Sequence, residues 1–452
     1  MKKMFSFLGT TPYIECLYFK DDFTSSRTRF IQTALYEMLK KEGVQIDKVY
    51  VFVTDEARRK NYEDYHDKKN DIQYIGLKNV WETKFGNENV ELIPVQMEMS
   101  LMKELKTLPN ESVTSKFEEE QWDLFNKIYE IIEENDEIYF DITHSFRSNP
   151  VIALIIAHFA KTMKNAKLKR LFYGNFESLG QAREVAGIPV EERRAPIVDI
   201  TSMMELLDWT IGVDTFLRTG NPAQIFDLAN DKSRYLHTDP GFHAINNFSR
   251  ALNFLNIHIE TVRGPKINGK ITKVLENYPN LEKHQTAVFP QFEKLTGKIE
   301  EKLSHFSDDE VKNALGSVIW AFEHGLYQQS ITLLEEYIIS IIAKKFGADE
   351  LDTDIRMAIS QILQQKIKEK SKKDNNEKEN KELNLSELEK FLEELIETHP
   401  ELKAFEKLAT LRNDVNHAGF RKNHTAPKTI IDNIAEYIEE LRPFFEQKIE
   451  KN

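Results

Sequence analysis

The sequence lacks the features of a membrane protein, of a disulfide-stabilised fold and of a cysteine-based metal centre. It contains one cysteine, Cys16, so neither an internal disulfide nor a cysteine-rich metal site is possible. No stretch approaches the roughly 20 apolar residues of a membrane-spanning helix. The apolar run near the amino terminus is too short for a secretion signal. We therefore expect a cytoplasmic protein that makes no contact with a membrane.

The sequence also lacks net positive charge and the common phosphate-binding motifs. Its 61 lysines and arginines are outnumbered by 74 aspartates and glutamates, which gives a formal net charge of −13. Such a charge repels nucleic acid from most of the surface, so RNA contact is expected only in a local basic pocket. Neither G-x-G-x-x-G nor G-x-x-x-x-G-K-[ST] occurs, which disfavours dinucleotide cofactors and nucleotide hydrolysis.

What the first 200 residues do have is an alternation of strand and helix patterns. Short runs rich in β-branched and aromatic residues lie at 3–9, 48–54, 90–96, 137–142 and 169–176, and 195–200 is expected to add a returning strand. The helical pattern at 25–43 has Ser25 or Ser26 as its expected N-cap and Gly43 as its stop. The alternation predicts a Rossmann-like α/β domain with a parallel sheet covered on both faces.

After residue 200 the strand patterns stop and amphipathic helices follow one another. We predict a Rossmann-like domain at 1–200, a helical connector at 201–300 and an all-helical domain at 301–452. Within the last of these, residues 366–384 are almost entirely charged or amide-bearing and lack an apolar stripe. We interpret this segment as a mobile insertion between helices.

Two polar loops follow the first and fourth predicted strands, where an open parallel sheet holds its ligands. In "GTTPY", Gly9 allows close approach of the backbone, and Thr10 and Thr11 supply hydroxyl groups. In "DITHSFRSNP", residues 141–150, the side chains of His144 and Arg147 suit a phosphate-rich or nucleotide-like anion. Alternatively, the second loop is a turn at Thr143 and His144 followed by a helix cap at Ser148 or Asn149 before Pro150. That alternative does not account for the pairing of His144 with Arg147.

The C-terminal segment "ATLRNDVNHAGF" contains the chain's only arginine that precedes a histidine by five residues. On a helix, Asn413 and His417 share a face, and Arg412 reaches the same edge. An Arg/His pair with no acidic partner and no metal ligands suits cleavage of RNA by its own 2′-hydroxyl. Arg412 would bind the phosphoryl oxygens, Asn413 would orient a neighbour, and His417 would donate a proton or hydrogen bond. The spacing alone also fits an unrelated surface arginine and a helix-ending histidine. We interpret His324 as structural and His424 as part of a surface loop.

Together, "FLGTTPY", "DITHSFRSNP" and "LRNDVNH" resemble the CARF–HEPN ribonucleases that accompany type III CRISPR systems. The first two resemble that family's nucleotide-sensing loops, in which D-x-T-H-[GS]-F-R is distinctive. The third resembles the R-x(4–6)-H signature of HEPN ribonucleases, and "HGLYQQSITLLEEYI" looks like the first HEPN helix. The chain departs from many relatives at Ser145, where they have glycine.

The resemblance implies a CRISPR-associated, metal-independent single-stranded RNA endoribonuclease that leaves 2′,3′-cyclic phosphate ends. Its activator would be a cyclic oligoadenylate, with cyclic tetra-adenylate preferred and cyclic hexa-adenylate left open, and it would need no cofactor. The sensor would bind this cyclic oligoadenylate as a homodimer. Some such sensor domains also slowly cleave their own activator, and the residues of this site are compatible with that activity. The ligand-contacting positions would be Gly9, Thr10, Thr11, Thr143, His144, Ser145, Phe146 and Arg147. The composite catalytic site would contain Arg412, Asn413 and His417 from both copies.

Two other classes of protein remain open at this point. A ligand-binding transcription regulator would need a basic recognition helix, whereas the C-terminal helices are acidic, so no stable DNA binding is expected. A HEPN interaction module would use Arg412 and His417 only to pack a dimer.

Overall fold

The computed structural model describes residues 1–68, 71–97, 110–144, 149–233, 240–284, 291–369, 385–420 and 422–446. The chain divides into two compact units, Met1–Glu205 and Leu206–Asn452. The first unit is α/β and the second contains only helices in its described part. This confirms the predicted fold class. The finer boundary near residue 300 stays a prediction.

The described part of the first unit contains ten strands. They are β1 (Lys2–Leu8), β2 (Leu17–Lys20), β3 (Phe23–Thr24), β4 (Lys48–Val53), β5 (Tyr65–Asp67), β6 (Ile72–Tyr74), β7 (Glu91–Gln96), β8 (Glu137–Asp141), β9 (Lys167–Gly174) and β10 (Arg194–Asp199). Eight of them form one sheet in the order β3-β2-β10-β9-β8-β1-β4-β7, and β5 and β6 form a separate antiparallel pair. All five predicted strands and the returning strand are therefore confirmed, with shifts of one or two residues at their ends.

The centre of the sheet is parallel. Strand β1 lies between β4 and β8 and pairs in parallel with both, and β7 and β9 continue the parallel arrangement outward. Strand β10 then returns antiparallel to β9. At one edge, β7 carries Pro94 opposite Val51 of β4. Because proline has no N–H to donate, it is confined to edge strands of this kind.

Seven helices of the first unit and its boundary are described. They are α1 (Ile31–Lys41), α2 (Asp55–Ala57), α3 (Leu77–Phe85), α4 (Asn110–Ile131), α5 (Asn149–Lys164), α6 (Ala182–Val185) and α7 (Thr201–Thr219). Alternate residues of the central strands face opposite cores. Leu8 and Val51 contribute to a core with residues of α1 and α3, whereas Phe7 and Phe52 contribute to one with residues of α4 and α5. The sheet is thus covered on both faces, as the alternation of strands and helices predicted.

The expected N-cap of the first helix is wrong. Helix α1 begins at Ile31, and neither Ser25 nor Ser26 caps it. Instead, the Ser25 hydroxyl accepts a hydrogen bond from the Tyr18 N–H at 2.9 Å, and Ser26 binds Glu37. Residues 17–24 form the short strands β2 and β3, which the sequence reading missed because runs of two to four residues carry little periodicity. The expected stop is correct, since Gly43 has φ +78° just beyond the helix.

The second unit continues α7 and adds α8 (Ala223–Ser233), α9 (Pro240–Glu260), α10 (Gly264–His284), α11 (Phe292–Leu303), α12 (Glu310–Glu323), α13 (Tyr327–Phe346), α14 (Thr353–Glu369), α15 (Leu385–Thr398), α16 (Phe405–Asn416) and α17 (Pro427–Glu446). One hydrophobic core runs through it, from Trp209 to Phe445. The expected insertion at 366–384 begins inside α14, and its residues 370–384 lie outside the described residues. No helix in the described ranges is long and apolar enough to cross a membrane.

Candidate functional site

The loops after β1 and β8 meet at the carboxyl edge of the sheet. Because these two strands are adjacent and parallel, their ends lie side by side. A Cβ atom added at Gly9 would lie 3.8 Å from the His144 carbonyl oxygen and 3.0 Å from the Tyr13 hydroxyl oxygen. The contact with His144 is an ordinary van der Waals distance, whereas a side chain at Gly9 would crowd the Tyr13 hydroxyl. The structure brings Gly9 of the first loop close to His144 of the second.

Tyr13 links the two loops, and the sequence reading did not single it out. Its hydroxyl oxygen accepts a hydrogen bond from the Gly9 N–H at 2.6 Å. Its ring stacks on the His144 imidazole, with ring centroids 4.1 Å apart and an angle of 20° between the planes. On another side the Tyr13 ring meets the edge of Phe30. One side chain thus fixes the backbone of the first loop against the imidazole of the second.

The backbone of the "GTTPY" loop is also held by Asn61, another residue that sequence patterns did not indicate. Asn61 is 1 % exposed and follows β4, within a π-helical turn at Arg58–Tyr62. Its amide nitrogen donates to the carbonyl oxygens of Gly9 and Thr11, at 2.8 and 2.9 Å. Thr11 is exposed and Thr10 is partly exposed. The loop therefore has a supported backbone and offers its threonine side chains toward solvent.

The second loop starts from a buried carboxyl group. Asp141, at the end of β8, is fully buried and accepts hydrogen bonds from the Ser6 hydroxyl at 2.5 Å and from the Thr143 N–H and hydroxyl. The Thr143 hydroxyl also accepts from the Gly174 N–H at 2.8 Å. Burial raises the pKa of Asp141, and the hydrogen bonds from Ser6 and Thr143 oppose that shift. The Thr143 hydroxyl is thus engaged in holding β8 to β9, which leaves it only one lone pair for a ligand.

His144 is the second-loop residue whose chemistry the structure defines best. Burial lowers the pKa of its imidazole to about 4, so the ring is neutral near pH 7. Its buried Nε2 atom has no hydrogen-bond partner among the residues that the structure describes. A neutral imidazole can either donate or accept one hydrogen bond at that atom. The predicted ligand contacts Ser145, Phe146 and Arg147, and the possible cap Ser148, lie outside the described residues.

In the second unit, Arg412 lies on α16 beside helix α13. Its Nε atom is 3.1 Å from Glu335 Oε2, and its Nη2 atom is 2.9 Å from Glu336 Oε1. The same two helices are joined near the end of α16, where Gln328 donates to Asn416 at 3.3 Å. Helix α13 includes most of the segment "HGLYQQSITLLEEYI", and it packs against α16.

The expectation that Arg412 has no acidic partner is wrong. Its two carboxylates stand 77 and 76 residues earlier in the sequence, so the spacing around Arg412 could not reveal them. Glu336 also bridges to a second arginine, because its Oε2 accepts from Arg356 Nη2 at 2.5 Å. Burial raises the pKa of Glu335, and the neighbouring Arg412 opposes that shift. The result is a half-buried cluster of two arginines and two glutamates.

The remaining predicted catalytic residues are more open. Arg412 Nη1 lies 3.4 Å from Asn413 Oδ1, at the limit of hydrogen bonding. His417 is the C-cap of α16 and is exposed, followed by Ala418 and Gly419 with φ +53° and +72°. Its imidazole is thus accessible, as expected from a helix that ends there. The structure brings Arg412 and Asn413 into contact and leaves the His417 side chain exposed.

The other two histidines take the positions expected of them. His324 packs on Trp320, and its Nδ1 lies 2.7 Å from the carbonyl oxygen of that residue. His424 is exposed in the loop between α16 and α17. Within the described ranges, no group of three or more His, Cys, Asp or Glu side chains is arranged to hold a metal ion.

The first unit is an α/β domain whose two polar loops lie at the carboxyl edge of its sheet, which defines a Rossmann-like fold. Residues 3–177 match a family model described as the CARF domain of the CRISPR system endoribonuclease Csx1. CRISPR-associated protein MJ1674 of Methanocaldococcus jannaschii is 30% identical to the chain over 235 residues, which cover 48% of this chain and 34% of that protein. The chain thus spans about a third of that relative's length. These matches show that the first unit is similar to a CARF domain and that the chain is related to a CRISPR-associated protein.

Proposed function

We propose that the chain is an RNA endonuclease switched on by a cyclic oligoadenylate. In this proposal the ring, most readily cyclic tetra-adenylate, binds at the loops after β1 and β8, and Arg412, Asn413 and His417 cleave single-stranded RNA. The observation that carries the proposal is the meeting of Gly9 and His144 inside the segment that matches the Csx1 CARF model. The helical unit supports it by placing an accessible histidine one turn beyond an arginine.

The two loops after β1 and β8 suit a nucleotide ring better than a free phosphate. A neutral His144 contributes no charge, but its unpartnered Nε2 can bond a ribose hydroxyl or a base. The Gly9 backbone, held by Asn61 and Tyr13, is positioned before a ligand arrives. Such preorganisation reduces the ordering that binding would otherwise require.

An exposed apolar stripe supports association through the first unit. On α5, Val151, Ile155, Phe159 and Met163 follow one another at four-residue spacing and are 39–58% exposed. Trp122 of α4 extends the stripe, since it packs on Phe125, which packs on Phe159. Contiguous apolar surfaces of this kind mark interaction sites. Because α5 starts just after the His144 loop, a second copy on this stripe would place two ligand loops near one two-fold axis.

The cleavage chemistry uses groups that the second unit provides. The RNA 2′-hydroxyl would attack the adjacent phosphorus and lose its proton to water, forming a 2′,3′-cyclic phosphate and breaking the bond to the 5′-oxygen. His417 would protonate that leaving oxygen, and Arg412 would stabilise the charge on the phosphoryl oxygens. Because Glu335 and Glu336 neutralise Arg412, a phosphate must use Nη1 or displace a carboxylate. If Glu336 left Arg412 on activation and paired only with Arg356, a phosphate could take its place on Arg412.

The same ion pairs favour one alternative. Arg412 held by two carboxylates also fits a helical interaction module in which the arginine only stabilises the packing of α13 on α16. That module would bind the ring through the first unit and cleave nothing. Cleavage assays separate these two functions.

The test is cleavage of a labelled single-stranded RNA by the purified full chain in EDTA, with cyclic tetra-adenylate, with cyclic hexa-adenylate and without either ring. We expect cleavage only with a ring present and loss of cleavage in Arg412→Ala and His417→Ala. Matched controls are Arg442→Ala, which removes a surface arginine paired with Glu439, and His258→Ala on α9. Cleavage that persisted in both site variants would reject the catalytic assignment. If the chain bound a cyclic oligoadenylate but cleaved no RNA, the result would instead support its function as an interaction module.

A further inference from the structure

Phe420 presents its aromatic ring to solvent beside the candidate catalytic histidine. It is 92 % exposed, the largest exposed fraction among the large apolar side chains that the structure describes. It stands three residues after His417, in the segment between α16 and α17. We name residues 417–425 the His417 loop. A fully exposed phenylalanine adds nothing to the core of the unit, so folding does not explain its position.

The backbone around Phe420 is held in place from both ends of the loop. The Phe420 N–H donates to the His417 carbonyl oxygen at 3.0 Å, and the Gly419 N–H donates to the Asp414 carbonyl oxygen at 3.3 Å. At the other end, the Thr425 N–H donates to the Asp414 carboxylate at 2.7 Å. The left-handed conformations of Ala418 and Gly419 turn the chain sharply between these contacts. The exposed ring is therefore displayed from a fixed point.

The His417 loop is polar and carries no acidic residue of its own. Residues 417–425 contain no aspartate or glutamate, although the whole chain has a net charge of −13. Lys422, Asn423 and His424 are exposed in the same loop. Asn423 and Thr425 also line an open pocket of about 390 Å³ with Thr410 and Asn433, and Glu406, Lys407 and Asp414 line it as well. Amide and hydroxyl groups of this kind can bond the edge of a nucleobase.

We propose that Phe420 is a substrate-binding residue that stacks on a nucleobase next to the scissile phosphate. The inference rests on the proposed function, because it assigns a position to the RNA that His417 would cleave. Stacking on an exposed aromatic face is a general means of binding single strands, and a nearby cation supports it through the backbone phosphates. A base in a duplex is already stacked on its neighbours, so this contact selects unpaired RNA.

The test measures binding and cleavage separately. In a His417→Ala background, the affinity for a labelled single-stranded RNA should fall by about 5- to 100-fold when Phe420 is changed to Ala. Phe420→Leu keeps apolar bulk but has no π-face, so its affinity for the RNA should fall as much as that of Phe420→Ala. Phe420→Trp should retain or improve affinity. Phe254→Ala, which removes a half-exposed phenylalanine from α9, should leave affinity unchanged.

In the active chain, Phe420→Ala and Phe420→Leu should raise KM for RNA more than they lower kcat. Equal affinity in all Phe420 variants would overturn the inference while leaving the Arg412 and His417 assays to judge the proposed function. If Phe420→Ala made the dimer dissociate and left the RNA affinity per dimer unchanged, the Phe420 side chain would pack against a second copy. That result would also overturn the inference. Rescue by Leu as well as Trp would do the same, because stacking needs an aromatic face.

Discussion

The two candidate sites hold their key side chains by different means. Around Gly9 and His144 the contacts are hydrogen bonds to backbone groups and an aromatic stack, and the imidazole is neutral. Around Arg412 the contacts are ion pairs among two arginines and two glutamates. A neutral, prearranged site suits recognition of a ligand with many hydrogen-bonding groups. An ion-paired site suits a cation that must be held in reserve until a phosphate competes for it.

The largest expected effect tests whether the second site needs the shape of arginine or only its charge. Arg412→Lys keeps a positive charge but loses the planar fork that can bind two oxygens at once. We expect the rate of RNA cleavage to fall by roughly 100-fold, while the affinity for the cyclic oligoadenylate, measured by calorimetry, stays unchanged. Arg442→Lys is the matched control. Near-normal cleavage by Arg412→Lys would mean that charge alone is sufficient.

The next effect tests the ion pairs themselves. Glu335→Gln keeps the size of a buried side chain but removes the carboxylate from Arg412 Nε. We expect the free energy of unfolding of the helical unit to fall by about 2–3 kcal/mol, because a half-buried guanidinium loses an anionic partner. Urea denaturation measures it, with Glu439→Gln on the surface of α17 as a control that changes little. If Glu335→Gln left stability unchanged or raised it, the cluster would not hold Arg412 in place.

A third effect separates the sites by pH. The pKa of His144 is lowered to about 4 in the folded chain, below its ordinary value near 6.5. The unfolded chain therefore takes up a proton first as the pH falls, so stability is present above pH 6.5 and is lost toward pH 4. Between pH 7.5 and 5 the first unit should lose about 2 kcal/mol from this group. In His144→Asn, the free energy of unfolding measured by urea denaturation should depend less on pH. If its dependence on pH were the same as in the wild type, the imidazole would not be buried in a neutral form.

The smallest effect concerns the link between the two ligand loops. Tyr13→Phe keeps the stack on His144 but removes the acceptor for the Gly9 N–H. We expect the affinity for cyclic tetra-adenylate to fall about five-fold, because one neutral hydrogen bond contributes about 1 kcal/mol. Tyr13→Ala should lose more, since it removes the stack as well. Calorimetry with cyclic tetra-adenylate measures both, and equal affinities for wild type and Tyr13→Phe would contradict the positioning role of the hydroxyl.

The sequence predicted those features that local patterns encode. The apolar runs of β1, β4 and β8 identified the central strands, and their order along the chain placed the "GTTPY" and "DITHSFRSNP" loops at one edge. What it could not predict depends on contacts between distant residues. Asn61 reaches Gly9 across 52 residues, and Glu336 reaches Arg412 across 76. Neither side chain stands out in its own segment, because an asparagine in a turn and a glutamate on a helix are ordinary there.

Pro94 has a consequence for how copies of this chain can associate. It stands on β7 at one border of the eight-stranded sheet, where an added strand would need its N–H. The opposite border ends in β3, which has only two residues and gives an incoming backbone very little to bind. Growth of the sheet by strand addition is thus discouraged on both sides. Polymers built by pairing of strand borders are therefore disfavoured for the first unit.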